Sequence, residues 1–362
     1  MSCHSFVAIA VALMSAGLAT ACSTPTSSAS PPSSTASTAS TAPPAASASS
    51  VPMAGRPYTA KQLFELQITP SAIAGDTSHL YVAEVALGAR PANTLSKVVV
   101  VSPNGGTPAP VPGSDTPAGV SINGLATFAN ALYLSEASNG STRDNGVYRL
   151  VSGTATPVAG GPGAPADLNH GNGDGGPALS AALQGPAGIA FSQAGDLYIA
   201  EAGDSRIRVV HGQTITTYAG GNGCAGDINA APTGTATTAK LCFVGLIAVD
   251  SEGAVYAAQA ARGMWIARID PTGAVSTISN SFAVNGLAVD VNGDLLAADA
   301  DGHRVVRFPS ADPGKPVVVT TDLGTIVALA VGPEGSIYVA HWLTPTPTAP
   351  VTYWVTRLVP SP

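Results

Sequence analysis

Charged side chains are scarce in this chain of 362 residues, at 10% of the total, and only 15 of them are Lys or Arg. The chain has no dense basic segment that could neutralise a phosphate backbone, so we expect no binding of nucleic acid. Glycine and proline are abundant instead, with 40 and 30 copies. Because both residues disfavour helix interiors, this composition excludes a helical bundle.

The first 55 residues contain no Asp, Glu, Lys or Arg. Within them, the stretch from Phe6 to Ala21 is an unbroken run of apolar and small residues. The run is shorter than the ~20 residues that a membrane-spanning helix needs. It is typical of a secretory signal peptide, and we assign residues 1–21 to that role.

The end of this run, Leu18 to Cys22, resembles a bacterial lipoprotein signal, in which the cysteine becomes the lipidated first residue. An ordinary cleaved signal that contains a cysteine is the alternative. The following segment up to Gly55 is almost entirely Ser, Thr, Ala and Pro, a composition that buries too little apolar surface to fold. We therefore predict lipidation at Cys22, a disordered tether over 22–55, a folded domain over 56–362, and a location on the outer face of a bacterial cell membrane.

A phrase of about ten to fifteen residues recurs along the folded domain. It has a small residue, two or three aliphatics, a Gly/Asp turn, and then an aliphatic-Tyr-aliphatic-Ala strand that ends on a polar residue. The polar residues that end the six copies are 40 to 65 residues apart: Glu84, Glu136, Glu201, Gln259, Asp299 and His341. A third strand and a short fourth strand follow each copy. Four short strands in each repeat predict an all-β fold, a six-bladed β-propeller.

The sixth repeat has its first three strands, and then the sequence ends. An alternating segment from Lys61 to Ile68 stands directly before the first repeat and has no blade of its own. We expect this N-terminal strand to complete the last blade and so close the ring.

Two stretches, residues 188–209 and 286–306, resemble NHL repeats, and the segment from Asn172 to Pro186 resembles the long inter-blade connection of bacterial NHL proteins. The resemblance covers roughly residues 60–362. It implies a six-bladed propeller of the type found in exported proteins and in the extracytoplasmic sensor domains of bacterial receptor kinases. The family consists mostly of binding scaffolds, although related six-bladed propellers include lactonases and lyases, so the fold does not decide the function.

Cysteine usage is consistent with export. Cys3 lies in the signal and Cys22 is the candidate lipid site, so Cys224 and Cys242 are left in the folded domain. An even pair in an exported domain predicts a disulfide, with two free buried thiols as the alternative.

In a propeller, the ends of the second strands and the beginnings of the innermost strands share one face. Carboxylate and amide oxygens gathered there would suit a hard cation such as calcium. The two Asn-Gly-Leu phrases at Asn123 and Asn285 also resemble the calcium-dependent gluconolactonase family, which implies a metal set that includes Asn123, Asn285 and Glu84. The alternative is that the acidic residues cap turns or pair with blade arginines such as Arg206 and Arg304, because positions repeated in every blade usually serve the blade.

The segments that join the second and third strands are long in blades six, one and two. We expect these segments to form one wall of the same face, with six candidate binding residues: Trp342, Arg90, Arg143, His341, Glu84 and Glu136. The sequence thus favours a monomeric binding or scaffold module for a protein, peptide or glycan over a catalyst. A metal-dependent lactonase or lyase is the alternative.

Overall fold

The structure is a computed structural model that describes residues 58–85, 95–116, 119–138, 145–161, 173–224, 227–259, 264–332, 334–343 and 351–360. The predicted signal peptide, Cys22 and the tether lie outside these residues, as do Arg90 and Arg143. Among the described residues, no helix is long and apolar enough to cross a membrane.

Almost all of the described chain is β-structure, with one short 3-10 turn at Ala178–Ser180. The first three blades and the segment before them contain β1 (Tyr58–Leu66), β2 (Thr69–Gly75), β3 (Leu80–Val85), β4 (Lys97–Val101), β5 (Ala109–Pro110), β6 (Val120–Phe128), β7 (Ala131–Ser138), β8 (Gly146–Val151), β9 (Thr154–Gly160), β10 (Pro186–Phe191), β11 (Leu197–Glu201), β12 (Arg206–His211) and β13 (Thr214–Gly220). The rest of the chain contains β14 (Gly234–Thr235), β15 (Val244–Val249), β16 (Val255–Gln259), β17 (Ile266–Ile269), β18 (Ala274–Ser279), β19 (Val284–Val289), β20 (Leu295–Asp299), β21 (Arg304–Phe308), β22 (Val317–Thr320), β23 (Thr325–Val331), β24 (Ile337–Leu343) and β25 (Thr352–Pro360).

These strands form six antiparallel sheets, which confirms the predicted six-bladed β-propeller. Blades one to five are β2–β5, β6–β9, β10–β13, β15–β18 and β19–β22, and blade six is β23, β24, β25 and β1. The first strand of each blade contacts the first strand of the next, and β23 contacts β2, so these six innermost strands make a closed ring. We call the face where the second strands end the upper face, and the opposite face the lower face.

The hydrophobic core consists of six clusters, one at each boundary between neighbouring blades. Alternation along the second strands produces this arrangement, because successive side chains of a strand point to opposite faces of the sheet. In β16, Val255 and Ala257 pack against blade three, whereas Tyr256 and Ala258 pack against blade five. The recurrent Ala of the repeat thus lets adjacent blades approach closely.

Each innermost strand has a β-bulge at an equivalent position near the upper face. A glycine follows the bulge in three of these strands because the next blade is too close for a side chain. A Cβ atom on Gly124 would lie 2.3 Å from the carbonyl oxygen of Ala187, and one on Gly286 would lie 2.9 Å from the backbone nitrogen of Leu329. The small residue in the repeated phrase therefore marks the contact between innermost strands.

The N-terminal strand completes blade six, as predicted. Strand β1 pairs antiparallel with β25, from Tyr58 opposite Pro360 to Leu66 opposite Tyr353. The predicted bounds of 61–68 were wrong at both ends. The strand begins earlier because β25 offers nine residues for pairing, and it ends at Leu66 because the chain then enters β2 at Thr69.

Blade four carries an additional short strand, β14, on the outside of β18. This strand belongs to the segment between Cys224 and Cys242, whose Cα atoms are 5.3 Å apart and whose sulfur atoms form the predicted disulfide. The separation is within the usual range for a disulfide. The bond therefore fixes both ends of the connection between blades three and four.

The pairing of β1 with β25 predicts that the N-terminal strand is required for stability. Phe64 and Leu66 are buried in the cluster between blades six and one, so deleting residues 56–66 should lower the free energy of unfolding by roughly 3–6 kcal/mol. Phe64→Ala alone should cost about 3–5 kcal/mol. Urea denaturation of the purified proteins measures both effects.

Two controls accompany this prediction. Glu65→Ala changes an exposed neighbour of Phe64 and should alter stability by no more than about 0.5 kcal/mol. Deletion of residues 23–55 should leave the unfolding transition unchanged. Equal transitions for the deletions of 56–66 and 23–55 would contradict the assignment of β1 to blade six.

Candidate functional site

The six polar residues that end the repeated phrase all lie at the upper face, on the second strands of their blades. Five of them are buried and Glu136 is partly buried: Glu84, Glu201, Gln259, Asp299 and His341. The structure therefore brings equivalent positions to one face, as the repeat predicts. What these side chains contact decides what they can do there.

Two of the glutamates bind the chain where it enters their own blades. The backbone N–H of Gln67 donates to Glu84 (3.2 Å), and the backbone N–H of Gln184 donates to Glu201 (3.3 Å). Glu84 also lies 3.8 Å from the ammonium of Lys97, its cross-strand neighbour. Each carboxylate thus anchors the segment that leads into the innermost strand.

The other three buried residues also bind groups of their own blade or of its entry segment. Asp299 accepts from the Nε of Arg304 and from the backbone N–H of Gly302, both at 2.8 Å. Gln259 donates to the carbonyl oxygen of Ile228 (3.2 Å), and the Nε2 of His341 lies 2.8 Å from the hydroxyl of Thr356. Among the described residues, no three His, Cys, Asp or Glu side chains are grouped closely enough to hold a metal ion.

Asn123 and Asn285 lie at the bulges of β6 and β19, in blades on opposite sides of the ring. Each donates through Nδ2 to a carbonyl of the next innermost strand, at 3.3 Å to Pro186 and at 3.0 Å to Ile326. Ser71 makes the same kind of bond to Ile122 (2.6 Å). Bulge side chains therefore tie neighbouring blades together, while the Oδ1 atoms of the two asparagines have no hydrogen-bond partner within the described chain.

Trp342 lies near the upper end of β24 and is partly exposed. Its cross-strand neighbour Tyr353 accepts a hydrogen bond from the hydroxyl of Thr69 in blade one (3.0 Å). Paired residues of adjacent strands point to the same side of a sheet, so Trp342 also faces the boundary between blades six and one. Exposed apolar side chains flank this upper end of the two blades: Leu95, Leu343 and Val351.

Sequence reasoning did not find a buried ionic network between blades two and three. Arg208 is fully buried, with one Nη atom 2.6 Å from Asp174 and the other 3.4 Å from Glu201. Burial raises the pKa of Glu201 to about 7, although the charge of Arg208 opposes this shift. Asp174 belongs to the long connection before β10, and no local pattern in the sequence links it to Arg208.

The buried imidazole of His341 predicts a specific pH dependence. Burial lowers its pKa from 6.5 to about 4, so between these values the unfolded chain binds a proton that the folded chain excludes. Stability is retained above pH 6.5 and lost as the pH falls towards 4, by up to about 3 kcal/mol. His341→Gln introduces the residue that blade four has at this position. Between pH 6.5 and pH 4 this variant should lose less stability than the wild type, as measured by urea denaturation at the two pH values.

Comparison of this variant with the unmodified protein cancels the titration of all other groups. His303→Asn is the control, because His303 is exposed and should follow the wild-type curve. Parallel stability curves for the wild type and His341→Gln would show that His341 is not buried in its neutral form.

The sequence matches no protein-family model and no curated protein. The predicted resemblance to NHL repeats therefore stays a prediction. The fold, in contrast, is similar to those of several solved structures. One is a gluconolactonase from Xanthomonas campestris, with 14% sequence identity over 83% of this chain and 90% of that chain and a TM-score of 0.55.

Two further structures share the fold. The calcium-binding protein regucalcin from Agrobacterium tumefaciens has 13% identity over 84% of this chain and 96% of that chain, with a TM-score of 0.54. The PQQ-bound aldose sugar dehydrogenase from Streptomyces coelicolor has 16% identity over 84% of this chain and all of that chain (100%), with a TM-score of 0.50. At these identities the likeness concerns the fold alone, and the chain is a six-bladed β-propeller.

Proposed function

We propose that this propeller is an exported binding module that holds a protein, peptide or glycan on the upper face of blades six, one and two. The observation that carries the proposal is the partly exposed Trp342 at the boundary between blades six and one. A tryptophan held on a rigid strand offers a large contact area at a low cost in conformational entropy, which is the usual profile of an interface anchor.

The contacts of the strand-end residues support a binding role. Glu84, Glu201 and Asp299 use their carboxylate oxygens to hold the backbone or an arginine of their own blades. Side chains engaged in this way serve the scaffold, because removing them would leave buried donors without partners. Among the described residues, Trp342 belongs to no hydrophobic core cluster, so we infer that its exposed surface binds the ligand.

We also propose that Cys22 is lipidated and that residues 22–55 tether the propeller to the outer face of the membrane. Strand β1 begins with Tyr58 opposite Pro360, at the lower face, whereas Trp342 lies at the upper face. A tether that joins the lower face leaves the upper face free for a ligand. A flexible segment of this length has a root-mean-square span of ~30 Å, enough to hold the domain clear of the lipid surface.

The anchor is tested by Cys22→Ser in the native host. Without a cysteine to carry lipid, the protein should move from the membrane fraction to the soluble fraction of the cell envelope or to the medium. Quantitative immunoblotting of the fractions measures the change. Full retention of Cys22→Ser in the membrane fraction would contradict lipid anchoring at this residue.

The binding surface is tested by Trp342→Ala, which should weaken capture of glycans on an array, or of proteins from a cell-envelope extract, by about tenfold or more. Trp354→Ala is the matched control: Trp354 is opposite His341, so it points to the other side of the same blade, and its loss should leave capture unchanged. Denaturation curves for both variants establish that they fold. Equal capture by the two variants would place the binding surface elsewhere.

A metal-dependent lactonase or lyase is the second candidate, favoured by the positions of Asn123 and Asn285 on opposite innermost strands. Their Oδ1 atoms could serve as oxygen ligands for calcium. The structurally similar proteins include a gluconolactonase and a calcium-binding protein, which agrees with this candidate.

Calorimetric titration with calcium, together with a lactonase assay, distinguishes the metal-dependent enzyme from the binding module. Stoichiometric micromolar binding that is lost in Asn285→Ala and in Glu84→Ala would favour the metal-dependent enzyme.

A further inference from the structure

A polar cavity of about 220 Å³ lies at the lower face, between blades six and one. Blade six contributes Ser336, Tyr338 and Arg357, and blade one contributes two turns that include Ser78 and Asn104. Tyr338 and Trp342 occupy the same strand four residues apart, so the cavity is about 13 Å from the proposed binding surface along β24. It is therefore a separate site.

The guanidinium of Arg357 is held rigidly in this cavity. Its Nε and Nη2 atoms donate to the hydroxyl of Ser336 at 3.1 and 3.0 Å, and Nη1 donates to the Oδ1 of Asn104 at 2.6 Å. The charged group also lies over the ring of Tyr338, 5.8 Å from its centre. An arginine has five N–H donors, so two remain for another acceptor.

Blade five shows how carboxylates can bind an arginine at this position. Arg307 occupies the equivalent position of β21, and its Nη atoms lie 3.4 Å from Asp290 and 3.9 Å from Asp294. These two aspartates begin and end the turn between the first and second strands, where the N–H of Asp290 donates to the carbonyl of Asp294. The inward-facing arginine of blade five is thus neutralised by carboxylates of its own turn.

Blade six lacks both of these carboxylates. In the same turn, the N–H of Gly332 donates to the carbonyl of Ser336, so Gly332 replaces Asp290 and Ser336 replaces Asp294. Blade four has the same turn, in which Asp250 occupies the position of Asp290. Its third strand has an arginine, Arg268, at the position of Arg307. Blade six therefore lacks, at the first position of this turn, the carboxylate that blades four and five have.

Only one carboxylate pairs with Arg357 among the described residues. Glu334 lies 3.9 Å from Nη2, but its side chain is 86% exposed, whereas that of Arg357 is 16% exposed. A pair with such an exposed partner contributes little free energy. The cavity therefore contains a largely buried, oriented cation, and its one acidic partner in the described part of the chain can be displaced.

We propose that this cavity binds a small hydroxylated carboxylic acid, whose carboxylate takes the place of the missing aspartate. A planar carboxylate matches the two remaining guanidinium donors, which favours bidentate binding. The hydroxyl groups of Thr77, Ser78 and Ser102 line the cavity and provide partners for hydroxyl groups of the acid. Gly332 packs closely against one wall of the cavity, because a Cβ atom there would lie 2.7 Å from the ring of Tyr338.

The test measures binding of acetate, lactate and glucuronate to the full chain by calorimetry, with glucose as the uncharged comparison and phosphate as a different anion. We expect glucuronate to bind more tightly than acetate and glucose to show no binding. Arg357→Gln should weaken glucuronate binding by about tenfold or more, as expected for the loss of a charge-assisted pair. Trp342→Ala should leave it unchanged, so that the result is independent of the proposed upper surface.

Gly332→Asp and Gly332→Asn form a matched pair that isolates the carboxylate. Both introduce the same volume, but only Gly332→Asp restores the internal anion of blade five, so glucuronate binding should be weaker in Gly332→Asp than in Gly332→Asn. Failure of all three carboxylates to bind, binding of phosphate alone, or equal affinities of wild type and Arg357→Gln would each overturn the proposal. Equal affinities of the two Gly332 variants for glucuronate would overturn the claim that the carboxylate of the ligand takes the place of the aspartate.

Discussion

The pairing of β1 with β25 is the interaction on which the ring depends. Blade six has three strands from the end of the chain and one from its beginning, so residues about 300 positions apart share one sheet. Each of the six core clusters lies between two blades and needs both of them. Because the clusters form a closed cycle, loss of the fourth strand of blade six would expose an edge and weaken two clusters at once.

Repetition explains where polar groups lie in this propeller. The strand-end residues hold the segments that enter the blades, and bulge residues such as Asn123 and Asn285 tie innermost strands to their neighbours. We therefore expect ligand-binding surfaces where a blade has a residue that does not hold the blades together in this way. In blade six, β24 continues past the strand-end position to Trp342, and Gly332 stands where blades four and five have an aspartate.

Much of this fold could be predicted from the sequence, because the repeat encodes it directly. The alternation of Tyr and Ala in the second strands identifies the blades, and the alternating segment before the first repeat predicts the strand that pairs with β25. The bounds of β1 could not be predicted, since they depend on the length of β25. The disulfide between Cys224 and Cys242 was predicted from the even pair of cysteines in the folded domain, and the structure contains it.

Less of the candidate sites than of the fold could be predicted from the sequence. The strand-end acids could be placed on one face, but whether they converge or bind their own blades depends on side-chain directions that a repeat does not specify. Arg208 and Asp174 are far apart in sequence and meet only through the connection between blades two and three. Aligning the turns of the blades shows that Gly332 stands where other blades have an aspartate. The sequence does not show that Arg357 is largely buried, and the proposed ligand site depends on that burial.

Ring closure is most directly tested by native-state hydrogen exchange of the full chain. If β1 is an integral strand of blade six, the backbone amides of β1 that pair with β25 exchange only through global unfolding, with the same free energy as those of central strands such as β11. Exchange of the β1 amides through a local opening of much lower free energy, while β11 stays protected, would contradict closure of the ring by this strand.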